Sequence, residues 1–301
     1  MPLAPLLPPH LAPPHGLAPL LRAELGPLAP PDLIAAAAID EARSLQQLAA
    51  ARELAPALGS NALFVKGIAM ALTIYPPGLR PAGDLDLLTT RDLLPRVCNA
   101  LTAAGFSRDD VAADASPMEI PYFRDAPSGV TLMIDLHYAF TGDQGLQAAL
   151  SIPIDAILAR RQIVDGVPIP SDEDSLLLAA VNLVRSCVDR LVLVVDVARL
   201  AARPLDWNSV FSRAKAWRIA TPLWVSLMLA HDLFDTPVDL DPIAPRPWKA
   251  RAIRSLFSRE ELLRTDRERD PRYRFLFKAL SLDSWGDLLR SVAAIPRRLG
   301  R

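Results

Sequence analysis

Residues Phe64 to Leu88 read FVKGIAMALTIYPPGLRPAGDLDLL. The stretch opens apolar, turns at Lys66-Gly67, and ends with Asp84 and Asp86 inside an aliphatic frame of Leu85, Leu87 and Leu88. Residues two apart on a strand share a face, with Cα atoms about 6.6 Å apart. Two carboxylates at that spacing repel by roughly 2.5 kcal/mol at an effective dielectric of 20, and by about 0.6 kcal/mol in water. A solvated pair is therefore tolerable. A pair in a cleft requires a cation or a raised pKa.

Outward from that stretch, the 301-residue chain is long enough for a sizeable core and two domains. Its 51% hydrophobic content comes mostly from alanine and leucine, which favour helix. The net charge of −1 provides no global field for nucleic acid or an anionic membrane. Cys98 and Cys187 stand in apolar segments without metal-type spacing, which predicts buried thiols in a reducing compartment. The most apolar stretch, Leu176 to Leu200, is interrupted by Arg185, Asp189, Arg190 and Asp196, so it is not expected to span a bilayer. No signal segment is recognisable, and the expected location is the cytoplasm.

Residues 1–31 are rich in Pro, Leu and Ala, and predict an extended or loosely docked arm with a short helix near Leu17 to Leu25. His10 and His15 in this arm read as incidental. Asp32 is the expected N-cap of a helix over 33–58, closed by Pro56 and Gly59. Strands are expected at 61–66, 84–89, 118–124 and 130–138, the last two around a turn at Pro127-Ser128-Gly129. Helices are expected at 67–75 and 91–104, and a hairpin turning at Asp165-Gly166. Ser171 with Asp174 resembles a capping box, and helices follow at 172–185, 187–202, 206–217, 220–234, 247–262 and 272–295. Arg297, Arg298 and Arg301 form a small basic end. The predicted fold is α+β: a mixed sheet flanked by helices over 32–170, then an all-helical domain over 171–301.

Asp135 lies on the strand 130–138, where Ile134 and Leu136 alternate with Asp135 and His137. If the two acidic strands are neighbours, Asp84, Asp86 and Asp135 converge as hard oxygen ligands suited to Mg²⁺ or Mn²⁺. Gly67, at a strand-to-helix turn, lets backbone N–H groups approach an anion, with Lys66 and Arg80 as nearby cations. Taken singly, each feature has an ordinary structural explanation. An Asp-x-Asp often ends a solvated strand, and Arg80 could simply hold its loop. Their order and placement favour a site.

The series LFVKGIAMAL, YPPGLRPAGDLDLL, AAGF and LMIDLHYAF resembles the uncharacterised nucleotidyltransferase family of the DNA polymerase β-like superfamily. LVLVVDVARL and the following Asp206-Trp207 resemble that family's helical C-terminal region, so the likeness covers about 33–240. The resemblance implies that Asp84, Asp86 and Asp135 are catalytic metal ligands and that Gly67 belongs to the phosphate-binding turn. Two departures stand out. Ile68 replaces a serine common after the glycine, and Asn182 falls near where relatives carry a histidine.

The implied activity is metal-dependent transfer of a nucleoside monophosphate from an NTP to a hydroxyl or phosphate acceptor. The resemblance suggests a small-molecule, glycan-precursor or peptide acceptor in a biosynthetic cluster, with nucleic acid disfavoured for want of basic excess. His137 is a candidate for supporting Asp135 from the same strand face or for a structural role. Two alternatives remain: a non-catalytic NTP-binding or scaffold protein, and phosphoryl transfer to a peptide.

Overall fold

The computed structural model describes residues 2–109, 118–126, 129–265 and 270–294. The turn residues Pro127 and Ser128 and the basic end at Arg297, Arg298 and Arg301 lie outside these.

In chain order the elements are α1 (Ala18–Leu25), α2 (Pro31–Leu58), β1 (Leu63–Phe64), α3 (Lys66–Thr73), β2 (Leu85–Leu88), α4 (Leu94–Ala103), β3 (Ser107–Arg108), β4 (Glu119–Asp125) and β5 (Thr131–His137). They continue with α5 (Gln144–Ala149), α6 (Ile154–Ala159), β6 (Gln162–Val164), β7 (Val167–Ile169), α7 (Asp172–Arg185), α8 (Val192–Ala201), α9 (Trp207–Ala216) and α10 (Ala220–Phe234). The chain ends in α11 (Pro247–Arg254), α12 (Arg259–Leu263), α13 (Pro271–Ser281) and α14 (Trp285–Ala294). The chain forms two compact units, the first comprising Met1–Phe140, Ile154–Ser175 and Arg190–Val192.

The first unit is built on a five-stranded mixed sheet in the order β1-β2-β5-β4-β3. β2 and β5 are parallel, and the remaining neighbours are antiparallel. Register decides what each face carries. Leu85 pairs with Ile134, and Leu87 with Leu136. All four are fully buried and join one core with Leu54 and Leu58 of α2, Ile68 of α3, and Val97 and Leu101 of α4. The intervening residues must then share the other face. There Asp86 lies beside Asp135, and Glu119 beside His137.

α2 is long because alanine and leucine dominate it, and two buried polar residues on it serve the site. Ser44 Oγ donates to the Arg80 carbonyl at 2.7 Å, and Gln47 Nε2 donates to the Gly83 carbonyl at 3.2 Å. Both bonds hold the loop that delivers Asp84. Asp32 lies in the first turn of α2 rather than at its cap, because Pro30 and Pro31 already preset the entry geometry. Pro56 falls in the final turn, and the helix runs on to Leu58 before Gly59 caps it at φ 54°.

The N-terminal arm packs rather than trailing. Leu3, Leu7, Leu17 and Leu21 are buried, and His15 is fully buried with Nδ1 accepting the Leu191 N–H at 3.2 Å. Apolar residues spaced between the prolines supply enough buried surface to fix the segment. The β6–β7 hairpin turns at Asp165-Gly166 with φ of 50° and 79°, the pair of positive angles a type I′ turn requires. At the start of α7, Ser171 Oγ accepts the Asp174 N–H at 3.2 Å, whereas the Asp174 carboxylate pairs with Arg160 at 2.9 Å.

The second unit comprises Thr141–Pro153, Leu176–Asp189 and Leu193–Arg301, and its regular structure among the described residues is helical. α10 is buried continuously from Thr221 to Ala230. α5 and α14 meet at Gly145, where a β-carbon would stand 2.8 Å from Ser291 Oγ. The helices expected over 247–262 and 272–295 are each split in two. Ser258 caps α12 through the Glu261 N–H at 3.1 Å, and the Ser284 N–H bonds Asp287 at 3.0 Å.

Among the described residues, no helix is long and apolar enough to cross a membrane.

Candidate active site

The site is a charged patch on a sheet whose other face is aliphatic. Asp86 is 5% exposed and His137 3%, so neither can rely on bulk water for solvation. His137 Nε2 stands 3.0 Å from Asp86 Oδ1. Lys66 Nζ donates to that same Oδ1 and lies 3.2 Å from His137 Nε2. One ligand atom each from Asp86, Asp135 and His137 lies within 4.8 Å of the others. Asp84 is outside that group, half-buried in the bend that leads into β2.

The electrostatics divide the carboxylates. Burial opposes ionisation of Asp86, but the Lys66 ammonium and the His137 hydrogen bond outweigh it and hold this carboxyl well below the usual range. Asp135 receives no such relief. Burial, the hydrogen-bonded Glu119 carboxyl, and the charges of Asp86 and Asp84 push it up to about 7. Asp84 is raised by burial and by Asp86, with Lys66, Arg190 and His137 pulling the other way. Among the described residues, four carboxylates thus meet Lys66, Arg190 and His137. That imbalance is what a cation relieves.

Asp86 and Asp135 supply hard oxygens, and His137 an imidazole nitrogen. Mixed sets of this kind bind Mn²⁺ and other first-row divalent ions as well as Mg²⁺. Among the described residues, His137 Nδ1 is buried without a hydrogen-bond partner, its neighbour Glu119 Oε2 being 4.0 Å away. The donor set fits a divalent cation.

The turn before α3 contains a left-handed residue. The left-handed residue is Lys66, at φ 51°, and not Gly67. A side-chain-bearing residue pays about 1–2 kcal/mol for that conformation, and such strain collects at functional turns. The Val65 N–H bonds the Asp86 carbonyl at 3.0 Å, and the Lys66 side chain closes back onto the Asp86 carboxylate. A β-carbon on Gly67 would stand 3.5 Å from Ala82 Cβ and 4.0 Å from Arg80 Nη1. Gly67 therefore faces a buried guanidinium, which also donates to the Pro81 carbonyl.

The structure brings Lys66, Asp86 and Asp135 together with His137, and places Gly67 against Arg80. Glu119 and Arg190 escaped notice in the sequence. Glu119 belongs to the site only through the β4–β5 register, and Arg190 acts on Asp84 from over a hundred residues away. Asn182 lies in α7, where its side-chain oxygen accepts from Arg185 at 3.2 Å and 3.3 Å.

A mixed sheet flanked by helices, bearing an acidic cluster beside a strand-to-helix turn, is an α+β nucleotidyltransferase fold. Residues 10–235 match the family described as uncharacterised nucleotidyltransferase, and the chain belongs to that family. No curated protein matches it.

Proposed function

We propose that the protein is a divalent-metal-dependent enzyme of the DNA polymerase β-like superfamily that moves a nucleoside monophosphate from an NTP to a hydroxyl or phosphate acceptor. The observation carrying this reading is the convergence of Asp86, Asp135 and His137 in a buried patch where carboxylates outnumber cations. Asp86, Asp135 and His137 would hold the ion, and Asp84, at the loop end, would complete its shell toward the nucleotide. When bound, a divalent ion neutralises phosphate charge and lowers the pKa of an attacking hydroxyl.

The chain's own residues do the rest. Lys66 and Arg80 bracket the Gly67 turn and compensate triphosphate charge. Asp135, on the acceptor side of the site, would help take the proton of the acceptor hydroxyl. The acceptor oxygen forms its bond to the α-phosphorus as the bond to pyrophosphate breaks. The acceptor would be a small molecule, glycan precursor or peptide of a biosynthetic pathway.

Calorimetry with each NTP, with and without Mg²⁺, tests the binding half of the reading. Metal-dependent affinity that disappears in Asp86→Ala supports it, and metal-independent binding or none sinks it. Mass analysis after incubation with labelled ATP and a cell extract tests the chemistry. An increment of nucleotide mass on a product is expected, and an increment of phosphate alone would establish phosphoryl transfer instead.

A further inference from the structure

Lys66 makes its two polar contacts with the very groups that would bind the metal. Its Nζ donates to Asp86 Oδ1 and sits 3.2 Å from His137 Nε2, and its side chain is only 15% exposed. An ion taking Asp86 and His137 as ligands would meet a positive charge already on that oxygen. Both cations cannot share it closely without strong mutual repulsion in a site shielded from water.

The backbone at Lys66 is itself unusual. Lys66 holds φ at 51°, although Gly67 beside it could adopt a left-handed angle without strain. The ammonium therefore reaches Asp86 from an unfavourable backbone conformation that the surrounding contacts maintain.

We propose that Lys66 is a tethered counter-ion that competes with the divalent metal for Asp86 and His137, suppressing metal binding until an anionic triphosphate draws the ammonium away. This rests on the nucleotidyltransferase reading and adds an order of events to it. A lysine suits the task because its charge is compact and its four-carbon stem is flexible. Its destination is also marked. The turn it belongs to faces Arg80, so a triphosphate seated there would lie between two cations. Neutralising Asp86 in the meantime keeps a buried carboxylate paired, while Asp84, Asp135 and Glu119 keep the patch attractive to a cation.

The test is a Mn²⁺ titration of the full chain without nucleotide, by calorimetry, on the wild type and on Lys66→Met and Lys66→Asn. Methionine keeps an unbranched apolar stem, and asparagine tolerates the left-handed angle. Both variants should bind Mn²⁺ about tenfold tighter or more than the wild type. Mn²⁺ should also raise their melting temperatures by a larger margin. Asp86→Asn serves as the site control and should abolish binding. Equal or weaker affinity in the Lys66 variants, with the control behaving as stated, overturns the competition and leaves the transferase reading standing. Loss of folding in both variants makes Lys66 a structural ion and overturns it too. Mn²⁺ binding that is absent throughout, or that survives Asp86→Asn, removes the metal site and both readings with it.

Discussion

The acidic patch of the first unit and the carboxylates around Asp143 in the second are handled in opposite ways. In the second unit the carboxylates of Asp143, Asp287 and Asp283 have their partners at hand. Asp143 receives Lys278 at 2.6 Å, Arg274 at 3.6 Å and the Leu146 N–H at 3.1 Å. Asp287 bonds the Ser284 hydroxyl at 2.6 Å and pairs with Arg290, and Asp283 accepts the Ala220 and Thr221 N–H groups at the start of α10. In the first unit, Asp86, Asp135 and Glu119 share one sheet face, with Asp84 in the bend beside it, against Lys66, Arg190 and His137. Asp143 is held below the usual carboxylate range and Asp135 is driven above it, although both are largely buried. A folded chain that needed only stability would balance both centres. The imbalance in the first is a mark of use.

The contrast breaks most sharply at Asp86. Replacing it by Asn keeps the shape, but removes one metal donor and leaves Lys66 without the carboxylate it pairs with. Metal-dependent nucleotide binding should fall by a factor of about 100 or more, as losing a charged ligand removes several kcal/mol. Isothermal titration with Mg·ATP reads this directly. Retained affinity would reduce the acidic patch to an unusually arranged structural cluster.

Much of this patch was legible beforehand, and the reason is alternation. Asp86 and Asp135 interrupt runs of Leu and Ile that can only be buried strand faces, so the carboxylates had to point the other way together. The Asp165-Gly166 hairpin was legible for a similarly local reason, the backbone angles of its two turn residues. What stayed hidden depends on pairings distant in sequence. His137 could be placed on the face but not given a role, because its meeting with Asp86 needs the parallel β2–β5 register. Glu119 enters through β4, and Arg190 from far along the chain. The left-handed angle at Lys66 was not legible, since lysine adopts it only when tertiary contacts hold it there. The short helix of the Pro-rich arm was legible, but its close packing was not, because composition speaks of proline and not of the leucines' common burial. The interruptions at Ser258 and Ser284 were missed because caps inside a long helical pattern look like ordinary surface serines.

Proton competition at Asp135 sharpens the comparison with a smaller effect. A carboxyl pushed up to about 7 must lose its proton to ligate a metal. Mn²⁺ affinity should therefore fall about tenfold per pH unit below 7 and level off above it. Asp135→Asn should bind more weakly and flatten that slope. The stability of chelator-treated protein has the opposite sign. A carboxyl whose folded pKa is raised contributes stability that is complete below about pH 4, its unfolded value, and is lost as pH rises through 7. Thermal melts with a chelator between pH 5 and 8 should show that decline, and Asp135→Asn should lack it. A pH-independent Mn²⁺ affinity would mean that Asp135 is not a ligand.

The smallest effect belongs to the balanced centre. Burial opposes ionisation of Asp143, yet the Lys278 hydrogen bond and charge, the Leu146 N–H and Arg274 prevail, and its folded pKa is depressed. A depressed carboxyl contributes stability that is present above the unfolded pKa of about 4 and is lost as pH falls through the folded value. Asp143→Asn keeps the side-chain oxygen that caps α5 but surrenders the ion pair with Lys278. The cost should be about 1 kcal/mol at pH 7, because the pair is partly screened by water. The difference from wild type should vanish in acid, where the native carboxyl is protonated as well. Mn²⁺ affinity should not change, since no metal-type cluster among the described residues includes Asp143. A loss of Mn²⁺ binding in this variant would mean that the two centres are not divided as stability against use. An unchanged melting temperature would show instead that even a well-matched ion pair here adds nothing, leaving the mismatch around Asp135 as the energetically consequential feature of the two.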